Sequence, residues 1–170
     1  NRREDQYGGN ATNRARMLRE MIDGIRARCR PDFCVGVRLT PERMGVRRQV
    51  MLELSAGLLA EGNIDFLDAS LWDCFKDPEE EAFKGRPLIE WFAELPRNGC
   101  RFGVAGHLRT PADLVRAMEA GADWIMLGRV AIQHHDYPSR LQTDPGFLPL
   151  EPPLSRAHLK AEGVSDTFVE

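Results

Sequence analysis

The hydrophobic period along this chain switches repeatedly between a helical one and a period of two, and that alternation limits what it can fold into more than any other feature. Over residues 13–28, Met17, Leu18, Met21, Ile22 and Ile25 recur at helical spacing until Pro31 ends the pattern. Residues 33–39 then alternate, with Phe33, Val35, Val37 and Leu39 on one face and Cys34, Gly36 and Arg38 on the other, which predicts a strand. The helical period returns over 46–61 through Val50, Met51, Leu54 and Leu58, and Gly62 stands where a left-handed cap residue is expected. Residues 64–70, 101–105 and 123–127 are short apolar segments of strand type. Between them lie two more helical patterns. One is opened by Pro87 at its first position and carries Leu88, Ile89, Trp91, Phe92 and Leu95; the other is opened by Thr110, Pro111 and Asp113 and closed by Gly121.

Strands separated by helices are the signature of parallel pairing through right-handed crossovers, so the expected fold class is α/β. Four strands are too few for a closed (β/α)8 barrel of about 250 residues and enough for an open doubly wound sheet, so the pattern by itself leaves both architectures standing. With 42% hydrophobic residues in 170, the chain can bury a core and is expected to form one domain. A formal net charge of −3 provides no general attraction to nucleic acid or an anionic membrane, and no apolar run approaches a membrane span. The polar, charged opening lacks the basic and apolar regions of a signal peptide; it reads as a cut end, and the cytoplasm is the expected compartment. Cys29, Cys34, Cys74 and Cys100 form no CxxC pair, so reduced buried thiols are expected rather than a metal site or a disulfide framework.

Two glycine turns are the first features with chemical content. Gly106 ends one predicted strand and Gly128 the next, each followed by a polar residue near a helix start. Main-chain amides freed at such turns can converge on one phosphate, as they do at the terminal strands of a (β/α)8 barrel, and Arg129 would add a charge. The same glycines would also serve merely to make tight strand-to-helix turns. His107 follows Gly106 and would contact whatever Gly106 holds. Arg38 lies opposite the apolar face of its strand, at the carboxyl end, where a guanidinium needs either an anionic or carbonyl-rich ligand or an ion pair with an inward carboxylate such as Asp68. Gly36, Gly103 and Ala105 leave room for a flat ligand or for tight packing. The charged stretch 71–86 is a candidate active-site loop. His134 and His135, adjacent in sequence, cannot share a helix face, so a solvated helix end is expected there and no metal site. No GxSxG, HExxH or Walker pattern occurs, which argues against hydrolase and nucleotide triphosphatase chemistry.

The opening Asn1-Arg2-Arg3-Glu4-Asp5-Gln6-Tyr7-Gly8-Gly9, with Asn13-Arg14-Ala15-Arg16, resembles the N-x-R-x-D-x-Y-G-G…N-R-x-R segment of the Old Yellow Enzyme family of NAD(P)H:flavin oxidoreductases. Val35-Gly-Val-Arg-Leu39, Ile64-Asp-Phe-Leu-Asp-Ala-Ser70, Gly106-His-Leu-Arg-Thr-Pro111 and Leu127-Gly-Arg129 resemble, in order, later barrel strands of that family. The resemblance implies the C-terminal half of a (β/α)8 barrel, with residues 1–140 an FMN-binding partial barrel and 141–170 an irregular tail. It implies that Arg38 contacts the pyrimidine edge of FMN and that Gly106, His107, Gly128 and Arg129 surround its phosphate. Asn10 and Thr12 stand where the family usually has Ser and Glu, a departure that bears on the following helix cap and not on chemistry.

The activity implied is hydride transfer from NADH or NADPH through FMN to an electron-poor alkene. The family's substrate-anchoring pair and proton-donating tyrosine belong to the segment ahead of Asn1, so the catalytic residues are expected upstream. The 170 residues alone are expected to be inactive and to pair with the other half of the barrel or with themselves. Two other readings stay open: a different FMN-barrel dehydrogenase, and a half-barrel that binds or assembles without turnover.

Overall fold

The structure of the protein, a computed structural model, describes residues 1–43 and 45–169. Helix α1 spans Ala11–Arg28, strand β1 Gly36–Leu39, α2 Arg48–Glu61, β2 Phe66–Ser70, α3 Leu88–Ala93, β3 Arg101–Ala105, α4 Pro111–Glu119 and β4 Trp124–Ile125. Short helices α5 (Arg129–Gln133), α6 (Tyr137–Thr143), α7 (Arg156–Ala161) and α8 (Asp166–Val169) follow. The strands form one sheet in the order β1-β2-β3-β4, parallel throughout. No helix among the described residues is long and apolar enough to cross a membrane.

The local signals act as their chemistry requires. Asn10 caps α1 by accepting from the Asn13 amide at 2.9 Å, so the departure at this position leaves the cap intact. Thr110 and Asp113 form a reciprocal capping box on α4. Gly62 ends α2 at φ 69°, a left-handed conformation suited to glycine. Pro87 is the cap residue of α3 rather than its first helical residue. The N-terminal Tyr-Gly-Gly segment folds onto α1: Tyr7 donates to Glu20 at 2.9 Å, Arg16 donates to the Gln6 carbonyl at 2.9 Å, and a side chain at Gly8 would collide with the Arg3 carbonyl.

The strands are shorter than the alternation predicts. β1 begins at Gly36 because Phe33 and Cys34 are exposed, although Val35 remains bonded to Asp65 through its carbonyl. Regular pairing in β4 covers only Trp124 and Ile125, with Asp123 and Met126 each adding one main-chain bond to β3. The helix-facing side of the sheet is the apolar one, as expected. Val35, Val37 and Leu67 pack with Ile22, Leu58 and Leu59, and Ala69, Phe102 and Val104 pack with Leu88, Ile89 and Phe92. On the opposite face, space at Gly36 and Gly103 is taken by the rings of Phe66 and Trp124, which meet edge to face at 5.1 Å. Those two glycines therefore serve packing and not a flat ligand.

The stretch 71–86 is pinned rather than loose. Lys76 pairs with buried Glu42, Arg43 pairs with Glu79 at 2.9 Å, and the Arg48 amide donates to Glu80. The Arg48 side chain is fully buried, its guanidinium 4.0 Å from the centre of the Phe83 ring and without a hydrogen-bond partner.

The tail is not irregular, since α7 and α8 lie within it. Nor is His134 solvated: it is buried, accepts from the Leu150 amide through Nε2 at 3.2 Å, and lies edge to face with His158 and Phe147. His134, His158 and Glu162 bring ligand-type atoms within 4.8 Å of one another. His158 Nε2, however, bonds the Gln133 carbonyl at 2.8 Å, Glu162 Oε2 takes both the amide and Nδ1 of His135, and Arg140 lies 3.7 Å from Glu162 Oε1. The cluster works as a clamp that fastens the tail to the end of α5.

That clamp should open in acid. Burial, then Arg140, hold His134 below its ordinary value of 6.5, against the opposing pull of Glu162. A depressed histidine contributes stability that is complete above 6.5 and is lost as pH falls through the lowered folded value. Hydrogen-exchange protection over 137–169, corrected for intrinsic rate, should drop between about pH 7.5 and about pH 5, while the strands stay protected. Equal protection at both values would show that His134 does not govern the tail.

Candidate functional site

Parallel pairing puts the carboxyl ends of all four strands at one end of the sheet, and the turns that leave β3 and β4 line a partly open cavity of about 140 Å³. Gly106, His107 and Arg109 line it from the β3 side, and Met126, Gly128 and Arg129 from the β4 side. The four residues expected around a phosphate thus meet in one place. Gly128 caps α5, and Arg129 is exposed in its first turn. Among the described residues, no carboxylate pairs with Arg129.

The two glycines are needed for different reasons. Gly106 adopts φ 154°, and a side chain there would meet the amides of Asp73 and Cys74 at 3.1 Å. Its carbonyl accepts from Cys74, and the Ala105 carbonyl accepts from Leu71, so the β2 and β3 exits are stitched together just beyond the ladder. At Gly128 a side chain would meet nothing within 4 Å, so packing does not demand glycine there. Gly128 is nevertheless among the residues that line the cavity. His107, at φ 52°, faces Asp73 with Nδ1 3.4 Å from Oδ2. Burial, with Asp73 and Asp113, pushes the nearby Cys74 thiol up to about 12, so it is no nucleophile.

Arg38 lies apart from this cavity, on β1, with β2 between. At a strand spacing of about 4.8 Å, it is roughly 12 Å from the gap between β3 and β4. Its guanidinium is half exposed, 3.2 Å from Asp68 Oδ2 and donating to Ser70 Oγ at 3.1 Å. The ion pair with Asp68 is therefore formed, and it leaves the guanidinium open to a ligand on its other side. Asp68 is 4% exposed; burial raises its pKa, Arg38 opposes that rise, and Oδ1 has no hydrogen-bond partner. Arg109 was not singled out by its sequence context. Its guanidinium grips Glu151 and the Leu150 carbonyl in the tail, while its own carbonyl accepts from Tyr137 at 2.6 Å, so the tail steadies the cavity wall.

A small cavity with an exposed arginine thus lies at one end of the row of strand termini, and the half-exposed Arg38 at the other. The model of the NADH:flavin oxidoreductase / NADH oxidase family matches residues 1–145, and the chain belongs to that family. Among solved structures, morphinone reductase in complex with tetrahydroNAD is 26% identical with a TM-score of 0.63, over 94% of this chain and 41% of that one. The old yellow enzyme homologue of Zymomonas mobilis, at 24% identity and a TM-score of 0.62, shares the fold over 87% of this chain and 41% of its own. An NADH:fumarate oxidoreductase of Klebsiella pneumoniae (strain 342) is 28% identical over 152 residues, 83% of this chain and 16% of that protein. The chain spans less than half the length of these relatives, and its four strands form part of an Old Yellow Enzyme barrel rather than an open doubly wound sheet.

The geometry separates two alanine substitutions. Gly106→Ala should lower stability by more than about 1 kcal/mol, through its positive φ and the backbone contact. Gly128→Ala should cost less than that while weakening the binding of inorganic phosphate. Thermal melts and phosphate titrations of the two variants check this, and a reversed order of stability would mean that the turns are misread.

Proposed function

We propose that this chain holds FMN for an oxidoreductase that transfers hydride from NADH or NADPH to an electron-poor alkene. The observation that carries the reading is the convergence of Gly106, His107, Gly128 and Arg129 on one cavity at the carboxyl ends of β3 and β4. That is where (β/α)8 barrels commonly bind phosphate. The residues fit the group: the cup has the size and charge for a phosphate, Arg129 is unpaired among the described residues, and Arg38 stands a few strands away with one side open.

When bound, FMN supplies the two-electron chemistry between nicotinamide and alkene. The residues of this chain bind and orient it. The Gly106 and Gly128 turns, neither carrying a side chain, would hold the phosphate through their main chain, and Arg129 would add a charge-assisted bond. Arg38 would present a positive charge to the pyrimidine edge of the bound ring and so favour its reduced state. Phe66 and Trp124, packed edge to face over Gly36 and Gly103, would form the layer of the inner face below the bound ring.

The proton donor and substrate-anchoring pair of the family do not fall within residues 1–170. Tested alone, these residues should lack sustained turnover, since general acid catalysis contributes about 10²–10⁴ in rate and positioning can contribute more. The free edges of β1 and β4 and the open inner face would be covered by the rest of the barrel, or by a second copy.

Reconstitution with FMN followed by an anaerobic assay with NADPH and cyclohexenone tests the reading. The purified chain should retain flavin absorbance and give no sustained product. Arg38→Ala should keep the phosphate grip but weaken retention of the flavin by about tenfold, the worth of one charge-assisted contact. Sustained enone reduction lost in Arg38→Ala would show that these residues hold a complete site. No flavin retention at all would remove the proposal.

A further inference from the structure

Asp68 is out of proportion to any structural need. It lies in the interior of β2, opposite Arg38 on β1 and Gly103 on β3, and is almost completely buried. Taking a carboxylate out of water costs several kcal/mol unless both oxygens are well paired. Here only one oxygen is paired, at 3.2 Å to an arginine that is itself half exposed, and Oδ1 has no hydrogen-bond partner. An arginine that close to water needs no buried counter-ion for stability, and Ser70 Oγ already holds its other nitrogen at 3.1 Å. Buried, poorly satisfied charge of this kind concentrates where a protein controls chemistry.

We infer that Asp68 is a positioning residue that acts through Arg38: it fixes the guanidinium toward the inner face and offsets part of its positive charge, thereby setting the reduction potential of the flavin. The inference rests on the FMN reading above and goes beyond it, to how the strength of the reductant is set. Arg38 unaccompanied would stabilise the reduced, anionic ring strongly and make it a weak hydride donor. With the carboxylate beside it, the field at the pyrimidine edge is smaller and the reduced ring gives up hydride more readily. Arg38 also opposes the rise that burial imposes on the Asp68 pKa, and so supports the charged form of the carboxylate.

The test is the midpoint potential of FMN bound to the chain, measured by dye equilibration for the unaltered protein and for Asp68→Asn, Asp68→Glu, Arg38→Met and Asp68→Asn/Arg38→Met. Asp68→Asn removes the charge but keeps the shape and one acceptor, so it should shift the potential upward. The expected size is about tenfold in the two-electron equilibrium, or about 30 mV. Asp68→Glu should restore most of the original value, which a role confined to packing would not do. In the Arg38→Met background the Asn substitution should shift the potential much less. An unchanged or lowered potential in folded, flavin-loaded Asp68→Asn overturns the inference, and so does a full shift that persists without Arg38. If the unaltered protein binds no FMN, the FMN reading fails and the inference falls with it.

Discussion

The parallel ladder between β2 and β3 is the constraint on which the rest of this molecule depends. It is the longest pairing in the sheet, running from Phe66 opposite Arg101 to Ser70 opposite Ala105. It continues past the strands through the bonds Leu71 to Ala105 and Cys74 to Gly106. That extension forces the chain through a sharp turn at Gly106, and the turn makes one wall of the cavity. A slip of one residue would exchange the faces, placing Leu67 and Phe102 inward and Asp68 in the apolar layer.

The two faces of the sheet divide the work. Toward the helices it is apolar and closely packed, and this side provides most of the stability. Toward the interior, aromatic rings fill the lower layer over Gly36 and Gly103, and the charged pair of Arg38 and Asp68 comes next, nearer the carboxyl ends. The tail belongs to the same design, since Leu150 and Glu151 hold Arg109 while the His134 clamp holds the tail.

Much of this was legible in the sequence, because it rests on local rules. The period of two placed Val35 and Val37 against the helices and Arg38 opposite them, and the capping residues Thr110 and Asp113 marked α4 correctly. The glycines at 106 and 128 announced the turns. What could not be read depends on partners distant in sequence. Nothing local to Arg48 signals that its guanidinium will be enclosed against Phe83, and nothing near His134 predicts its burial by residues from 147 to 162. Gly36 and Gly103 were ambiguous because the rings that fill their space come from neighbouring strands. For Arg38, an ion pair and a ligand contact stood as alternatives; the pair with Asp68 is formed, and the exposed half of the guanidinium leaves the ligand contact open.

If the cavity between Gly106 and Gly128 holds a phosphate, and that phosphate belongs to a flavin, the phosphate should contribute directly to flavin affinity. Riboflavin and FMN share the ring and differ only in the phosphate, so their affinities for this protein isolate that contribution. FMN should bind at least about tenfold more tightly than riboflavin, the worth of one or more charge-assisted contacts, and the difference should shrink in Arg129→Ala. Equal affinity for the two, or a difference indifferent to Arg129, would contradict the account.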